Sequence, residues 1–318
     1  MIPKKRILVC PLDWGLGHAT RCIPLINSFL SQGDEVIIGS CGLSGNLLKD
    51  EFPDLQHISI PSFSIRYSAG SSQVFSMLRA LPSIIYFSFR EHSLLKSIVK
   101  QYKITDVVSD NRFGMWCKDA KCTYITHQLL VRMPQKFRWL EPIVSRLHRS
   151  IINNYDSCWI PDNENIRESL SGELSHSCRL PKNAKFIGPL SRISKEGASI
   201  ESDVLIILSG IEPHRSILEK KLLERYSKHQ SKVILVEGIP MQNNTVRELP
   251  NITIYPSLNS DVLSEYIRGA KHIICRSGYT SIMDMHAAGK FDVVEWIPTP
   301  GQPEQEYLSL WLNVKKTL

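Results

Sequence analysis

The sequence predicts an α/β protein made of two doubly wound, Rossmann-like units facing each other across a cleft. Three observations carry that prediction. Short β-rich apolar runs alternate with longer helix-patterned segments. The alternation pauses once and restarts. The polar motifs follow directly on apolar runs, which is where open parallel sheets bind ligands.

In chain order, first-unit strands are expected at 6–10, 35–39, 57–60, 106–109, 123–126 and 157–160. Runs apolar on both faces suit a parallel sheet covered by helices. After Lys185-Phe186-Ile187-Gly188-Pro189-Leu190 the rhythm restarts, with strands expected at 203–208, 232–236, 252–255, 272–275 and 293–297. Residues 191–202 read as a polar connector without clear periodicity. The expected domains are therefore 1–190 and 191–318, a division that suits a chain of 318 residues.

Composition narrows the class. Apolar residues make up 42% of the chain, and no run of 18 apolar residues is long enough to span a bilayer. Met1 to Arg6 leads straight into a strand rather than a signal peptide, so a cytoplasmic location is expected. Eight cysteines form no Cys-x-x-Cys pair and lie in or beside apolar segments, which points to buried reduced thiols rather than disulfides or zinc ligands.

The net charge of +7 is lopsided: residues 1–190 hold 23 basic against 16 acidic residues, and residues 191–318 hold 15 of each. Much of the excess lies in Arg132, Lys136, Arg138, Arg146 and Arg149, interleaved with Phe137, Trp139, Leu140, Ile143, Val144 and Leu147. Two readings stay open for this run. A solvated helix face is the commoner; the other is a surface for anionic lipid or an anionic acceptor. No nucleic-acid partner is expected.

The first motif, Pro11 to Cys22, contains Gly15-Leu16-Gly17-His18. A dinucleotide fingerprint is the obvious rival, but Thr20 takes the place of the third glycine, and the second strand ends in Gly39-Ser40-Cys41-Gly42 without a ribose-binding acid. Gly15 and Gly17 instead let backbone approach a ligand. His18 heads the following helix, whose N-terminus disfavours imidazolium, so a neutral, proton-accepting ring is expected. Asp110, at the end of the fourth strand, reaches the same sheet edge and could orient His18 or cap a helix. His127, after the fifth strand, is a candidate acceptor contact.

The second group lies in the C-terminal unit. Arg276-Ser277-Gly278 follows a strand and opens a helix, which leaves free N–H groups for an anion. Asp284 lies eight residues beyond Arg276 on the same helix. Pro298 to Tyr307 then carries Gln305 and Glu306. Together these groups suit a sugar nucleotide: N–H groups for the diphosphate, a carboxylate for the ribose diol, an amide and an acid for hexose hydroxyls. Plainer readings stay open at each position, namely a helix start, a solvated carboxylate and surface polars.

These residues resemble the GT-B glycosyltransferases, most closely glycosyltransferase family 28, over nearly the whole chain. The similarity rests on Gly15 to His18, Leu208 to Arg215, Arg276 through Asp284, and Gln305-Glu306-Tyr307. It implies that Ser209 and Gly210, with Ser277 and Gly278, hold the donor diphosphate, and that Asp284 holds the ribose. Gln305 and Glu306 would grip the hexose, and Tyr255-Pro256-Ser257-Leu258 would meet the uracil through backbone groups. The family usually carries glutamate where Asp284 stands, and often continues into helices that return to the first domain. The first loop also resembles that of UDP-sugar hydrolases of nonulosonic-acid synthesis. The implied activity is inverting, metal-independent and cofactor-free transfer of a hexosyl group from a UDP-type donor to a hydroxyl acceptor, including lipid-linked or cell-envelope acceptors. His18 would act as base, and Arg276 with helix termini would stabilise the leaving diphosphate. A UDP-sugar hydrolase and a non-catalytic sugar-nucleotide binder are the alternatives.

Overall fold

The computed structural model describes residues 4–62, 73–240 and 245–317. Among these residues two sheets form. The first contains β1 (Arg6–Pro11), β2 (Glu35–Ser40), β3 (Gln56–Ser59), β4 (Asp106–Asp110), β5 (Lys121–Ile125), β6 (Ser157–Ile160) and β7 (Ala184–Phe186), all paired in parallel in the order β3-β2-β1-β4-β5-β6-β7. The second contains β8 (Ser202–Ile207), β9 (Val233–Val236), β10 (Arg247–Glu248), β11 (Ile252–Tyr255), β12 (Ala270–Cys275) and β13 (Val294–Trp296), in the order β10-β11-β9-β8-β12-β13. Only β10 runs antiparallel.

Ile7 to Cys10 and Leu205 to Ile206 are buried because helices cover both faces of each sheet, as continuous apolar strands require. The covering helices are α1 (Gly17–Ser31), α2 (Gly42–Glu51), α3 (Gln73–Tyr102), α4 (Glu141–Ile152), α5 (Glu173–His176), α6 (His214–Tyr226), α7 (Ser260–Gly269), α8 (Tyr279–Ala287) and α9 (Pro303–Thr317). The eleven expected strands form, with boundaries shifted by up to two residues. Two further strands escape the sequence pattern. β7 is too short to show a period, and β10 is a two-residue exposed edge of charged side chains.

The strand order reverses between β1 and β4 in one sheet and between β8 and β12 in the other. Such switch points open a crevice outside the carboxyl ends of the strands. His18 and Asp110 stand at the first, and Ser209, Gly210 and Arg276 to Gly278 at the second.

The two units share packing. Ile282, Met283, Leu308 and Leu312 lie in one apolar cluster with Ala19, Ile23, Leu170 and Leu174. Gly17 makes the closest approach possible: a Cβ there would stand 2.9 Å from Thr280 Oγ1, and that hydroxyl donates to the Gly17 carbonyl at 3.0 Å. The glycine expected to admit a ligand thus admits α8. Helix α9 returns to the first unit. Tyr307 Oη accepts from the Glu173 N–H at 2.8 Å, and Trp311 Nε1 donates to the Ser169 carbonyl. Gly172, at φ +56°, leaves room for Tyr307 and Trp311, which any Cβ would strike.

The basic run is not one face. Arg138 and Arg146 are exposed, with Trp139 68% and Leu147 63% accessible. Arg132 turns inward, paired with Glu141 and Glu173 and lying 4.7 Å over the Tyr307 ring. The two carboxylates and the ring outcompete solvent for this guanidinium.

Candidate active site

The facing switch points enclose a cleft of ≈ 320 Å³, the lower end of the range for small-molecule sites. Its first wall is the β1–α1 loop. Gly15, at φ +83°, takes a left-handed turn that other residues resist, and this sets His18 at the head of α1. His18 Nδ1 lies 2.9 Å from Asp110 Oδ1. Arg21 Nη2 lies 2.8 Å from the same nitrogen; in the tautomer with the proton on Nδ1, Nε2 keeps its lone pair free.

Arg21, three residues further along α1, joins them. It is 2% exposed, and its Nε and Nη2 donate to the two oxygens of Asp110, which is fully buried. Burial alone would push Asp110 up; Arg21 and His18 outweigh it and hold the carboxyl at about 2. Burial lowers His18, Arg21 adds to that, and Asp110 opposes it. The ring is therefore neutral at physiological pH.

A second histidine completes the cluster. His127 Nδ1 lies 3.3 Å from Arg21 Nη1, and its Nε2 lies 2.8 Å from Glu304 Oε1 on α9. Its ring stacks on Tyr279 at 4.0 Å. Both ring nitrogens thus have partners, and those partners are protein groups. His127 also lines the cleft, on the side expected for the acceptor.

On the opposite wall, Ser209, Gly210, Gly278, Asp284 and Gln305 line the cleft. Gly210 is left-handed at φ +104°. Gln305 Oε1 accepts from the Thr299 N–H at 2.9 Å, which fixes its amide. Asp284 is 7% exposed, and its Oδ1 accepts from Ser191 Oγ at 2.6 Å. Burial raises this carboxyl to about 6 against the opposing pull of Arg192 and Ser191.

Three expected donor groups point elsewhere. Arg276 gives its guanidinium to the carbonyls of Ile297 and Pro298 in the loop after β13 and of His214 at the start of α6. Ser277 Oγ donates to the Gln305 carbonyl at 2.8 Å and ties the starts of α8 and α9 together. Glu306 Oε1 accepts from the Gly301 N–H at 2.9 Å, one residue turn away from the cleft. In the 255–258 segment, Ser257 and Leu258 reach the cleft, whereas the Tyr255 and Pro256 carbonyls accept from Glu237 and Ile239.

The residues missed were Arg21, Glu304 and Arg192. Arg21 carried a readable signal, since i and i+3 on a helix share a face with His18. Glu304 precedes the expected Gln305 by one position. Arg192 sits in the connector, lines the cleft beside Asp284, and keeps Nε and Nη1 buried without a partner.

No family model matches the chain. An uncharacterised glycosyltransferase of Methanosarcina mazei is 21% identical over 316 residues, covering 95% of this chain and 81% of that protein. Among solved structures, the calicheamicin glycosyltransferase CalG4 superposes with a TM-score of 0.60 at 11% identity, covering 98% of this chain and 84% of that one. SnogD, a glycosyltransferase from Streptomyces nogalater, gives 0.54 at 12%, covering 99% and 96%. A putative UDP-N-acetylglucosamine 2-epimerase from Listeria monocytogenes gives 0.53 at 10%, covering 99% and 89%. At these identities the likeness is one of architecture, and that architecture is the GT-B fold.

Proposed function

We propose that the chain is an inverting glycosyltransferase that moves a hexosyl group from a nucleoside-diphosphate sugar, UDP-linked in the leading reading, to a hydroxyl acceptor. The observation that carries this is the pairing across the cleft. A neutral His18, held between Asp110 and Arg21, faces a wall that offers the N-terminus of α8 and the unpartnered nitrogens of Arg192. The M. mazei relative and the fold agree with it.

In this reading residues 1–190 form the acceptor side and residues 191–318 the donor side. His18 Nε2 takes the proton of the acceptor hydroxyl while that oxygen attacks the anomeric carbon from the face opposite the leaving group. The C–O bond to the diphosphate breaks, and its developing charge is met by Arg192 and by the first N–H groups of α8. Arg192 thus takes the part first expected of Arg276, and the reaction needs neither metal nor cofactor. Asp284 remains the ribose candidate through the oxygen that Ser191 leaves open, and Gln305 the hexose candidate. The exposed Trp139 and Leu147 beside Arg138 and Arg146 fit peripheral contact with anionic lipid at the inner membrane face, and with it a lipid-linked acceptor.

The test is nucleotide release from UDP-, GDP- and TDP-sugars with and without hydroxyl acceptors, including lipid-linked ones. His18→Ala should lower acceptor-dependent turnover by roughly 10²- to 10⁴-fold with nucleotide affinity nearly unchanged. Donor consumed without acceptor would make the chain a hydrolase, and tight nucleotide binding without turnover a binding protein.

A further inference from the structure

His18 is not the end of its hydrogen-bonded chain. Arg21 can only donate, so the contact from Nη1 makes His127 Nδ1 the acceptor. A neutral imidazole then carries its proton on Nε2, which donates to Glu304 Oε1 at 2.8 Å. The second Glu304 oxygen accepts from Gln128 Nε2 at 3.3 Å. Tyr279 stacks within 10° of the His127 ring plane and donates its hydroxyl to the Pro161 carbonyl at 2.7 Å, so the ring is held in place.

Charge explains what this arm does. The groups facing His18 are Asp110 at the end of β4, Arg21 on α1, His127 after β5 and Glu304 on α9. Cys22, 3.9 Å from Asp110, is pushed far up by burial and stays a neutral thiol. Burial pushes Glu304 up, but His127, Arg21 and His18 outweigh it and hold it below the usual carboxylate range. Two carboxylates against one guanidinium leave a single negative charge while both imidazoles are neutral. A proton on His18 cancels that charge. Without Glu304 the same proton would leave a net positive cluster in a buried site, which is unfavourable.

We propose that Glu304 is a positioning residue, delivered from the donor-side helix α9, that fixes the tautomer of His127 and, through Arg21, completes the charge balance against which His18 takes up a proton. The inference rests on the reading of His18 as the base. Its consequence is that base strength depends on closure, because separating the two walls would carry Glu304 away from Arg21 and His127.

The test is a histidine-labelled NMR titration of the full chain, comparing the wild type with Glu304→Gln, Glu304→Asp and Glu306→Gln. Glu304→Gln keeps an acceptor for His127 and removes the charge, so His18 should titrate at lower pH while His127 keeps its Nε2 proton. Glu304→Asp keeps the charge and should leave His18 near its wild-type midpoint. Glu306→Gln removes an equal charge from the same first turn of α9 and should leave the His18 curve in place. An unmoved His18 midpoint in Glu304→Gln, or an equal shift in Glu306→Gln, overturns the proposal. The acid limb of kcat/KM on the donor selected by the release screen separates the two readings. A limb that follows the NMR midpoint supports both. A limb that ignores a shifted midpoint refutes His18 as the base and leaves the Glu304 coupling standing.

Discussion

Arg21→Met removes the centre of the charge cluster while keeping a side chain of similar reach. Arg21 is 2% exposed and Asp110 is fully buried, so the carboxylate would lose two charge-assisted hydrogen bonds with no water to replace them. Breaking a buried pair by removing one partner costs about 3–5 kcal/mol, because the stranded charge keeps its desolvation penalty. For a chain of this size that corresponds to a fall in Tm of about 4–7 °C.

The deficit should depend on pH with a defined sign. The positive charge of Arg21 helps depress His18, so its removal lets His18 rise and pair with Asp110. A histidine whose folded value rises contributes stability below its unfolded value and loses it as pH climbs through the folded one. The variant should therefore be closer to wild type under mildly acidic conditions than under alkaline ones. Urea unfolding followed by both near-UV circular dichroism and fluorescence gives the number, provided the two transitions coincide. Arg21→Met with Asp110→Leu removes both charges and should recover most of the loss. A single-variant loss below about 1 kcal/mol, or a double variant that merely adds the two single losses, would refute the ion-pair account.

Gly17→Ala should cost about 1 kcal/mol by displacing the Thr280 hydroxyl from the Gly17 carbonyl, the net worth of one hydrogen bond. In a Thr280→Ala background the nearest side-chain atom is gone and the cost should vanish, which a double-mutant cycle by urea unfolding decides. Asp110 and Asp284 should show opposite pH signatures. Asp110, held at about 2 against an ordinary 3.8, gives stability that is present above the ordinary value and lost as pH falls through the folded one. Asp284, raised to about 6, loses stability as pH rises from 3.8 through the folded value, by about 3 kcal/mol in all, so Asp284→Asn should gain on the wild type over that window in a pH series of unfolding midpoints. The chain should sediment with anionic vesicles at low salt and release as salt rises, and Trp139→Ser should weaken this, whereas equal partitioning onto neutral vesicles would sink the lipid-surface reading.

The architecture was legible because strands buried on both faces read as continuous apolar runs, and the two switch points followed from where the polar motifs interrupt them. His18 and Asp110 were legible for the same reason, since one heads the helix after β1 and the other ends β4, on opposite sides of one switch point. What escaped the sequence is what depends on direction within a turn. Glu304, Gln305 and Glu306 are consecutive, yet one meets His127, one faces the cleft and one folds back on Gly301. Composition cannot separate them, because each position is polar and only the entry angle of α9 distinguishes their directions. Arg276 shows the converse case. A cation at a strand end reads as an anion ligand, but three carbonyls after β13 and at the start of α6 claim it first, while Arg192, in a stretch without periodicity, keeps free donors beside Asp284. A charge near a binding site becomes a ligand only when no backbone acceptor is nearer, and that is settled by how the loops fold around it.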